Sequence, residues 1–491
     1  MLPVFFRAWF RTLPETIFTT PGCDVDFHFK WYKNGPVQFS DHVVSITTAL
    51  VVAVMQVTKQ TRQLLMTPAR NIHMKVRWSI CFLLFLTWLM SYIDRSLMPM
   101  AIPFIGSEFQ IKPAMMGAVM SAFFLGYGLM QIPGGLIADR LGPRKTITFG
   151  ITAWSIFSIL TGVANSLTQL IWIRVLFGIG EGVHPPAAFK ALSNWFKSAE
   201  RARANGLVMS SNTIGPMIAP LLFATVMAAV GWRNAFILIS IPGFLIALAV
   251  YWYLRDTPAE HPRITADELS EIGMASQIND KMTFRELFKY PALWKLFFIY
   301  MTWDVTWWGF QAWLPSYLLD RGFALVTTGV IAALPYAAGF IGLLLSAYIS
   351  DRIKKRKIVL VVVLLGNAIG MLLTPTAPSA TWAVVFLIAT GFFLPAIHGP
   401  FWSLSMDLLP SKVMGYSTGF INTGGQIAGV ASPIVIGALI QWTGRYEAGF
   451  IFMAISAAAS MALVLTMKDP GILRASGSPQ EQASNSASAK A

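Results

Sequence analysis

Asp94 and Arg95 stand side by side at the end of an apolar run that starts at Trp78, and Arg174 and Glu181 lie seven residues apart within another. Seven residues are nearly two helical turns, so the second pair shares one helix face. Inside a bilayer each such charge costs at least about 2.5–3.5 kcal/mol and requires a reason. A buried arginine can take a carboxylate through two parallel hydrogen bonds, and buried carboxylates can accept and release protons. The four residues read as anion recognition joined to proton movement, unless they only pair with one another as structural ion pairs. A fifth charge, Asp304, sits alone in the apolar stretch 292–319.

Such residues need membrane helices to hold them. The chain has 491 residues, 55% of them hydrophobic and 12% charged, where soluble chains carry roughly 25% charged residues. This excludes a disordered chain and a collagen-like repeat, and two cysteines, Cys23 and Cys81, cannot build a disulfide framework. No Asp, Glu, Lys or Arg occurs in the windows 78–93, 113–138, 146–173, 204–232, 234–254, 322–350, 358–406, 413–444 and 448–467. The 358–406 window holds two spans with a turn near Pro375, Pro378 and Ser379. Two further spans tolerate isolated charges: 168–189, with Arg174 and Glu181, and 292–319, with Asp304. The sum is an all-α polytopic membrane protein of twelve transmembrane helices, since an open sheet cannot satisfy its backbone in lipid.

Alternate loops are basic: 140–145, 190–203, 255–295, 352–357 and the short loop with Lys412. The opposite loops hold only Lys112, Arg233, Arg321 and Arg445. By the positive-inside rule the basic side is cytoplasmic, with both ends of the helical region inside. The net charge of +14 is then a topology signal and not a nucleic-acid face. At an offset of 212 to 214 residues, Asp139-Arg140 matches Asp351-Arg352, Lys145 matches Lys357, and His184 and Pro186 match His398 and Pro400. Gly206 and Pro220 likewise match Gly419 and Pro433. Two pseudo-symmetric six-helix halves, 75–254 and 292–468, are expected, joined by a cytoplasmic linker at 255–291 in which Thr265-Ala266-Asp267-Glu268 starts a helix. Residues 1–74 fit no span, and an over-extended start, with translation beginning at Met66 or Met74, accounts for them; residues 469–491 read as a disordered tail.

Gly134-Gly135-Leu136-Ile137-Ala138-Asp139-Arg140-Leu141-Gly142-Pro143-Arg144-Lys145 resembles the signature loop of the major facilitator superfamily, with a degenerate copy at 350–357. Gly135, Asp139, Arg140, Gly142 and Lys145 would form a conformational gating loop, its glycines permitting close packing and a tight turn and Asp139 facing a helix N-terminus and nearby arginines. Tyr92-Ile93-Asp94-Arg95, the Ser121–Gly135 region, Arg174-Val175-Leu176-Phe177-Gly178-Ile179-Gly180-Glu181 and Asn194-Trp195-Phe196 followed by Glu200-Arg201 resemble the anion:cation symporter family, which includes bacterial galactonate, glucarate and hexuronate transporters and sialin. The resemblance implies that Arg95 binds a substrate carboxylate, that Asp94 and Glu181 carry protons, and that Arg174 tunes Glu181 or gates the site. It further implies that Tyr92 and Tyr127 bond the substrate, that Asn212 supplies a polar amide, and that Trp402, Ser403, Ser405 and Asn422 form the other wall.

Three features depart from that family's pattern. His184 and its repeat mate His398 can sense protons or bond substrate oxygens, or can be kink histidines satisfied by backbone carbonyls. Asp304 can join proton coupling or repel a second carboxylate. Trp303, Trp307, Trp308, Phe310 and Trp313 crowd one span; most are expected to face lipid or the interface, with one or two left to stack on a ligand. The functional expectation is a proton-coupled symporter importing an organic carboxylate, a sugar acid such as an aldonate or uronate, by alternating access. Its partners would be a small organic anion and the bilayer of the plasma membrane, with no nucleic acid, no metal, no cofactor beyond the coupling proton, and a monomeric state. Aromatic acids or dicarboxylates are alternative substrates. A multidrug:proton antiporter fits less well, because Gly215-Pro216-Met217-Ile218-Ala219-Pro220 matches the antiporter motif only in part. Short tails offer nothing for a non-transporting sensor, and no nucleotide loop or nucleophile elbow points to an enzyme.

Overall fold

The computed structural model describes residues 75–273, 288, 290–409 and 414–467; the 1–74 extension, Lys412 and the tail lie outside these. No strand occurs among the described residues, as a chain whose backbone must satisfy itself in lipid requires. Helix α1 is Val76–Glu108. The run Pro113–Gly162 breaks at Gly142 (φ 81°, ψ 158°), a left-handed conformation that favours glycine, and so forms α2 (113–141) and α3 (143–162). The fourth helix, α4, comes in two pieces, Leu167–Gly182 and His184–Trp195. Ser198–Met209 and Ser211–Tyr253 follow, and a break at Gly231 divides them into α5 (198–230) and α6 (232–253).

The second group is α7 (Pro291–Asp320), α8 (Leu325–Ile353), α9 (Arg356–Leu373), α10 in two pieces (Ala380–Phe393 and His398–Leu408), α11 (Met414–Thr443) and α12 (Glu447–Leu465). Among the described residues eight helices are long and apolar enough to cross a membrane, and two of those contain a glycine break and so supply two spans each. With α4 and α7 the count is the expected twelve. Starts follow from local chemistry: the side chains of Ser166 and Ser379 accept the Gln169 and Trp382 amides at the heads of α4 and α10. Both α4 and α10 break at repeat-related places, and His184 and His398 each open the second piece.

Helix α4, which carries Arg174 and Glu181, packs closely on α2. A Cβ added at Gly126 of α2 would overlap the Val175 carbonyl of α4, and one at Gly178 of α4 would overlap the Phe123 carbonyl of α2. This small-residue crossing is how membrane helices gain packing without a hydrophobic driving force. The expectation for the aromatic span is corrected: Trp303, Trp307, Trp308, Phe310 and Trp313 are all buried. Their α7 stripe packs inward on α10, α11 and α12, where Trp303 Nε1 donates to the Leu394 carbonyl and Trp313 Nε1 to that of Pro433. The exposed apolar side chains are others, among them Leu129, Ile132 and Leu344 and the aromatics Trp172, Trp252 and Trp442.

The linker docks on the basic end of the first group. Thr265 caps the short helix Ala266–Ile272 by accepting from the Glu268 amide, as its spacing predicts. The buried Glu268 carboxylate in turn accepts the Val76 and Arg77 amides, both at 3.0 Å, capping α1. Glu271 pairs with Lys75 at 2.5 Å and Arg77 at 2.7 Å. At the opposite end the two groups touch backbone to backbone: an added Cβ at Gly117 would overlap the Pro433 carbonyl, and one at Gly437 that of Pro113. Gly206 of α5 and Gly419 of α11, near the basic end, have nothing within 4 Å of an added Cβ.

Candidate functional site

Helix α1 carries a polar stripe, Thr87, Ser91 and Asp94, at spacings of four and three residues. Because α4 runs antiparallel to α1, each member meets a different partner. Thr87 Oγ1 bonds His184 Nε2 at 2.8 Å, Ser91 Oγ donates to Glu181 Oε1, and Asp94 Oδ2 accepts the Trp154 indole N–H of α3 at 3.1 Å. One step round the helix, Arg95 Nε donates to the same Glu181 oxygen at 2.5 Å. The Arg95 guanidinium also lies over the Tyr127, Phe123 and Tyr92 rings, at 4.4, 5.0 and 5.1 Å from their centroids. Aromatic faces attract a cation when water is excluded, and Arg95 is 7% exposed.

Arg174 is in no ion pair among the described residues. Its guanidinium stands 4.6 Å from the Phe177 ring centroid and 5.5 Å from that of Phe123, so Phe123 is shared by both arginines. The suggestion that all four charges merely neutralise one another therefore holds only for Arg95 and Glu181. Several buried polar atoms in this cluster lack a partner: Asp94 Oδ1, Glu181 Oε2, Arg95 Nη2 and Arg174 Nε. A cavity of about 30 Å³ opens beside them, lined by Arg95, Arg174 and Phe123 from one side and by Trp308 and Gln311 of α7 from the other.

The remaining expected residues are placed differently. Asn212 is half-buried, its amide 3.9 Å from the Met209 sulfur. Trp402 packs on Tyr300 and Phe401, Ser405 bonds back to the Phe401 carbonyl of its own helix, and Ser403 and Asn422 are half-buried. None of these five lines the cavity beside Arg95; its second wall is α7. His184 bonds a threonine hydroxyl and not a carbonyl, whereas His398 Nδ1 does meet the Pro395 carbonyl at 3.0 Å. Each histidine sits edge-on to a tryptophan, Trp88 for His184 and Trp303 for His398. Asp304 is buried with no ion pair among the described residues, and an added Cβ at Gly425 would overlap its carboxyl.

In the loop at 134–145, Asp139 pairs with Lys190 of α4 at 2.7 Å and not with a helix N-terminus or arginines. Arg140 and Lys145 are exposed. The tightly packed glycine is Gly134, whose added Cβ would lie 2.8 Å from Val183 Cα; at Gly135 the nearest atom is 3.8 Å away. Gly142 is hemmed by the Asp256 carboxyl, which accepts the Arg144 amide at 2.8 Å and caps α3. Reasoning from sequence missed Asp256, Thr87, Ser91, Trp154 and Gln311. The spacing of Thr87 and Ser91 ahead of Asp94 is the one signal that could have revealed part of this set.

The family model of the Major Facilitator Superfamily matches residues 83–433. A probable sulfoacetate transporter, SauU, of Cupriavidus necator is 35% identical over 416 residues, covering 81% of this chain and 96% of the relative. A probable L-galactonate transporter of Escherichia coli is 29% identical, covering 81% and 90%. The hexuronate transporter of Bacillus subtilis is 28% identical, covering 79% and 94%. Among solved structures, a bacterial homologue of the lysosomal transporter Spinster, inward-facing and occupied, superposes with a TM-score of 0.63 at 19% identity, covering 79% of this chain and 94% of that one. The D-xylose-proton symporter does so with a TM-score of 0.66 at 13% identity, covering 80% and 98%. These likenesses to solved structures speak for the fold alone. Together with the twelve helices and the motifs of α1, α2 and α4, the match means that the chain belongs to the Major Facilitator Superfamily, in its anion:cation symporter family, and is an integral membrane transporter and not an enzyme.

Proposed function

We propose that the protein is a proton-coupled symporter that imports an organic carboxylate, a sugar acid of the aldonate or uronate kind, by alternating access. The observation that carries this reading is the buried contact between Arg95 and Glu181, with Arg95 Nη2 still unbonded. While Glu181 is ionised the pair is neutral, and an incoming anion competes with a carboxylate already in place. Once Glu181 takes a proton, Arg95 keeps its charge without a counter-anion and a substrate carboxylate supplies one. Proton and anion therefore favour each other's binding, a coupling that is reciprocal by linkage. Sites that are empty or doubly loaded are charge-balanced, singly loaded ones are not, and burying the imbalance disfavours leak.

Relatives named for galactonate, hexuronate and sulfoacetate support an organic acid as cargo. In this reading Asp94 is a second proton carrier, Arg174 adjusts Glu181, and Tyr92 and Tyr127 bond the substrate. Asn212, Trp402, Ser403 and Asn422 close on it as the halves rock about the midplane site. The basic loops face the cytoplasm of a plasma membrane, and the protein works as a monomer. An aromatic acid is a second reading, favoured by the Phe123, Phe124 and Trp308 rings around the cavity.

The test is substrate-induced alkalinisation in proteoliposomes with galactonate, gluconate, glucuronate, glucarate and an aromatic carboxylate. One of these acids should give a signal that Arg95→Ala abolishes. Glu181→Gln should keep exchange and lose proton-driven accumulation. If Glu181→Gln still concentrates substrate against its gradient, the coupling role of Glu181 is wrong.

A further inference from the structure

We propose that Asp304 of α7 is a third proton-carrying residue, whose proton lets α11 seat on α7 and so closes the gate away from the basic loops. The inference rests on the proton-coupled reading above, which assigns its carriers, Asp94 and Glu181, to the first half alone. Among the described residues Asp304 meets no cation and no hydrogen-bond donor. An ionised carboxylate with neither is costly in a dry interior, so Asp304 needs water when charged and a proton when dry. It is 4% exposed, where Glu181 is 0% and Asp94 1%, so of the three acids it is the least sealed. Tyr92 of α1 is its repeat mate at an offset of 212, and each lies under a glycine of a crossing helix, Gly215 of α5 for Tyr92 and Gly425 of α11 for Asp304. Asp304 also interacts electrostatically with Tyr92 itself, which places it on the inner faces of the halves. The other titratable neighbour is Tyr300, one turn back on α7, and among the described residues no charged group of α8, α10, α11 or α12 acts on it.

The contacts of α11 connect that proton to the gate. Gly425, Gly429, Pro433 and Gly437 recur at every fourth position and form one ridge along the helix. An added Cβ at Gly425 would overlap Asp304 Oδ2, one at Gly429 the Phe124 ring of α2, and one at Gly437 the Pro113 carbonyl, while one at Gly117 would overlap the Pro433 carbonyl. The ridge therefore runs from the Asp304 carboxyl to the closed gate. Phe124 in turn meets Trp308, one turn along α7 from Asp304, edge to face with ring centroids 4.6 Å apart. Water drawn to an ionised Asp304 wedges the ridge off α7 at Gly425, and a packed helix displaced there is displaced at Pro433 and Gly437 too. Protonation removes the need for that water and lets the ridge seat. The proton comes from water on the gate side while α11 stands away from α2, and it leaves to water at the basic end; only the O–H bond of Asp304 is made and broken. Its loss there favours reopening of the gate, which is the return step of the cycle.

The experiment places nitroxide labels at Ala114→Cys and Gln441→Cys, on either side of the gate, in full-length protein with Cys23→Ser and Cys81→Ala. Double electron-electron resonance reads the label distance in detergent between about pH 8 and about pH 5, a range in which a buried carboxyl can change its charge. Acidification should raise the ratio of closed to parted gate at least about fivefold, the lower end of ordinary coupling between sites. Asp304→Asn, of the same size and uncharged, should keep the gate closed at both ends of the range. Glu181→Gln in the same background should keep most of the response. Asp304→Ser, smaller and also uncharged, repeats the test if asparagine folds poorly. In proteoliposomes Asp304→Asn should lower the number of protons carried per substrate by one, read from the slope of accumulation against an imposed pH difference. A gate that ignores pH in wild type, or one that responds equally in Asp304→Asn, overturns the proposal, and so does an unchanged proton ratio. Dicarboxylate uptake gained in Asp304→Asn with the gate response intact would make Asp304 a repelling group and also overturn it. The two readings fail separately. If no organic acid alkalinises wild-type proteoliposomes while Asp304 still governs the gate, the symport reading falls and the proton control of the gate stands; alkalinisation with a gate indifferent to Asp304 removes only this inference.

Discussion

Phe123 shows how one neutral side chain sets the electrostatics of the site. Its ring lies 5.0 Å from one guanidinium and 5.5 Å from the other, so two buried cations that would repel share one quadrupole. Each such contact contributes about 0.5–2 kcal/mol when desolvated. Phe123→Leu keeps most of the apolar volume and removes both, and should destabilise the protein by about 1–3 kcal/mol, read as a lower melting temperature in detergent. Phe123→Tyr, which keeps an aromatic face, should escape most of that loss, and a leucine variant that melts with wild type would show the contacts to contribute nothing. The same residue illustrates what was readable beforehand. Asp94, Arg95, Arg174 and Glu181 announce themselves because a charge in an apolar run needs a reason. Phe123, Trp154, Thr87, Ser91 and Gln311 do not, since aromatic and small polar residues are ordinary in membrane helices and only the antiparallel pairing of α1 with α4 gives them partners.

At the scale of elements, the twelve helices and the linker helix follow from apolar length and capping chemistry, which are local properties. What is not local escaped: the inward direction of the α7 tryptophans depends on which helices surround α7, and the capping of α3 by Asp256 depends on a residue over a hundred positions away. The docked linker helix is the element whose strength is most open to measurement. Glu268 is buried and bonds two amides that begin α1, where a carboxylate meets the positive end of the helix dipole. Glu268→Ala should cost about 1–2 kcal/mol, and Glu271→Ala less, because the Glu271 carboxylate itself is exposed, as is its Lys75 partner, although its other partner, Arg77, is buried. Two linker groups give this contact a pH dependence. Bonds from Lys75 and Arg77 hold the Glu271 carboxyl below its ordinary value, so its contribution is present above that value and is lost as pH falls through the depressed one. Burial against Trp195 and Tyr253 lowers the His261 value, so the docked linker prefers neutral imidazole and loses that preference as pH drops below the ordinary histidine range. Protection of the 265–272 amides, measured as hydrogen exchange relative to the intrinsic base-catalysed rate at each pH, should therefore begin to fall near pH 6.5 through His261 and again below about pH 4.3 through Glu271. Protection that stays constant or rises on acidification would contradict both assignments.

For the whole molecule the informative asymmetry lies between its two ends. Away from the basic loops the halves meet through glycines: Gly117 on Pro433, Gly437 on Pro113, and Gly329 on Pro220, each too close for a side chain. Toward the basic loops Gly206 and Gly419 face open space. Backbone contact of this kind is strong when made and cannot be deformed by degrees, so it behaves as a closed gate with two discrete states. A cargo bound beside Arg95 can leave toward the far end only if α2 parts from α11 and α5 from α8. The pair Ala114 and Gln441, whose backbone amide and side-chain oxygen lie 3.4 Å apart across that gate, can be joined to test this. Ala114→Cys with Gln441→Cys, cross-linked by oxidant or a short bifunctional reagent, should reduce transport at least about tenfold, because a covalent tie outweighs the few kcal/mol that separate such states. Reductant should restore it, and each single variant should be insensitive to oxidant. Ligand-induced thermal stabilisation should persist in the tied protein, since the site stays reachable from the basic end. Transport that continues with the gate covalently shut would mean that the halves need not separate there, and the rocking mechanism would have to give way to a path through one half.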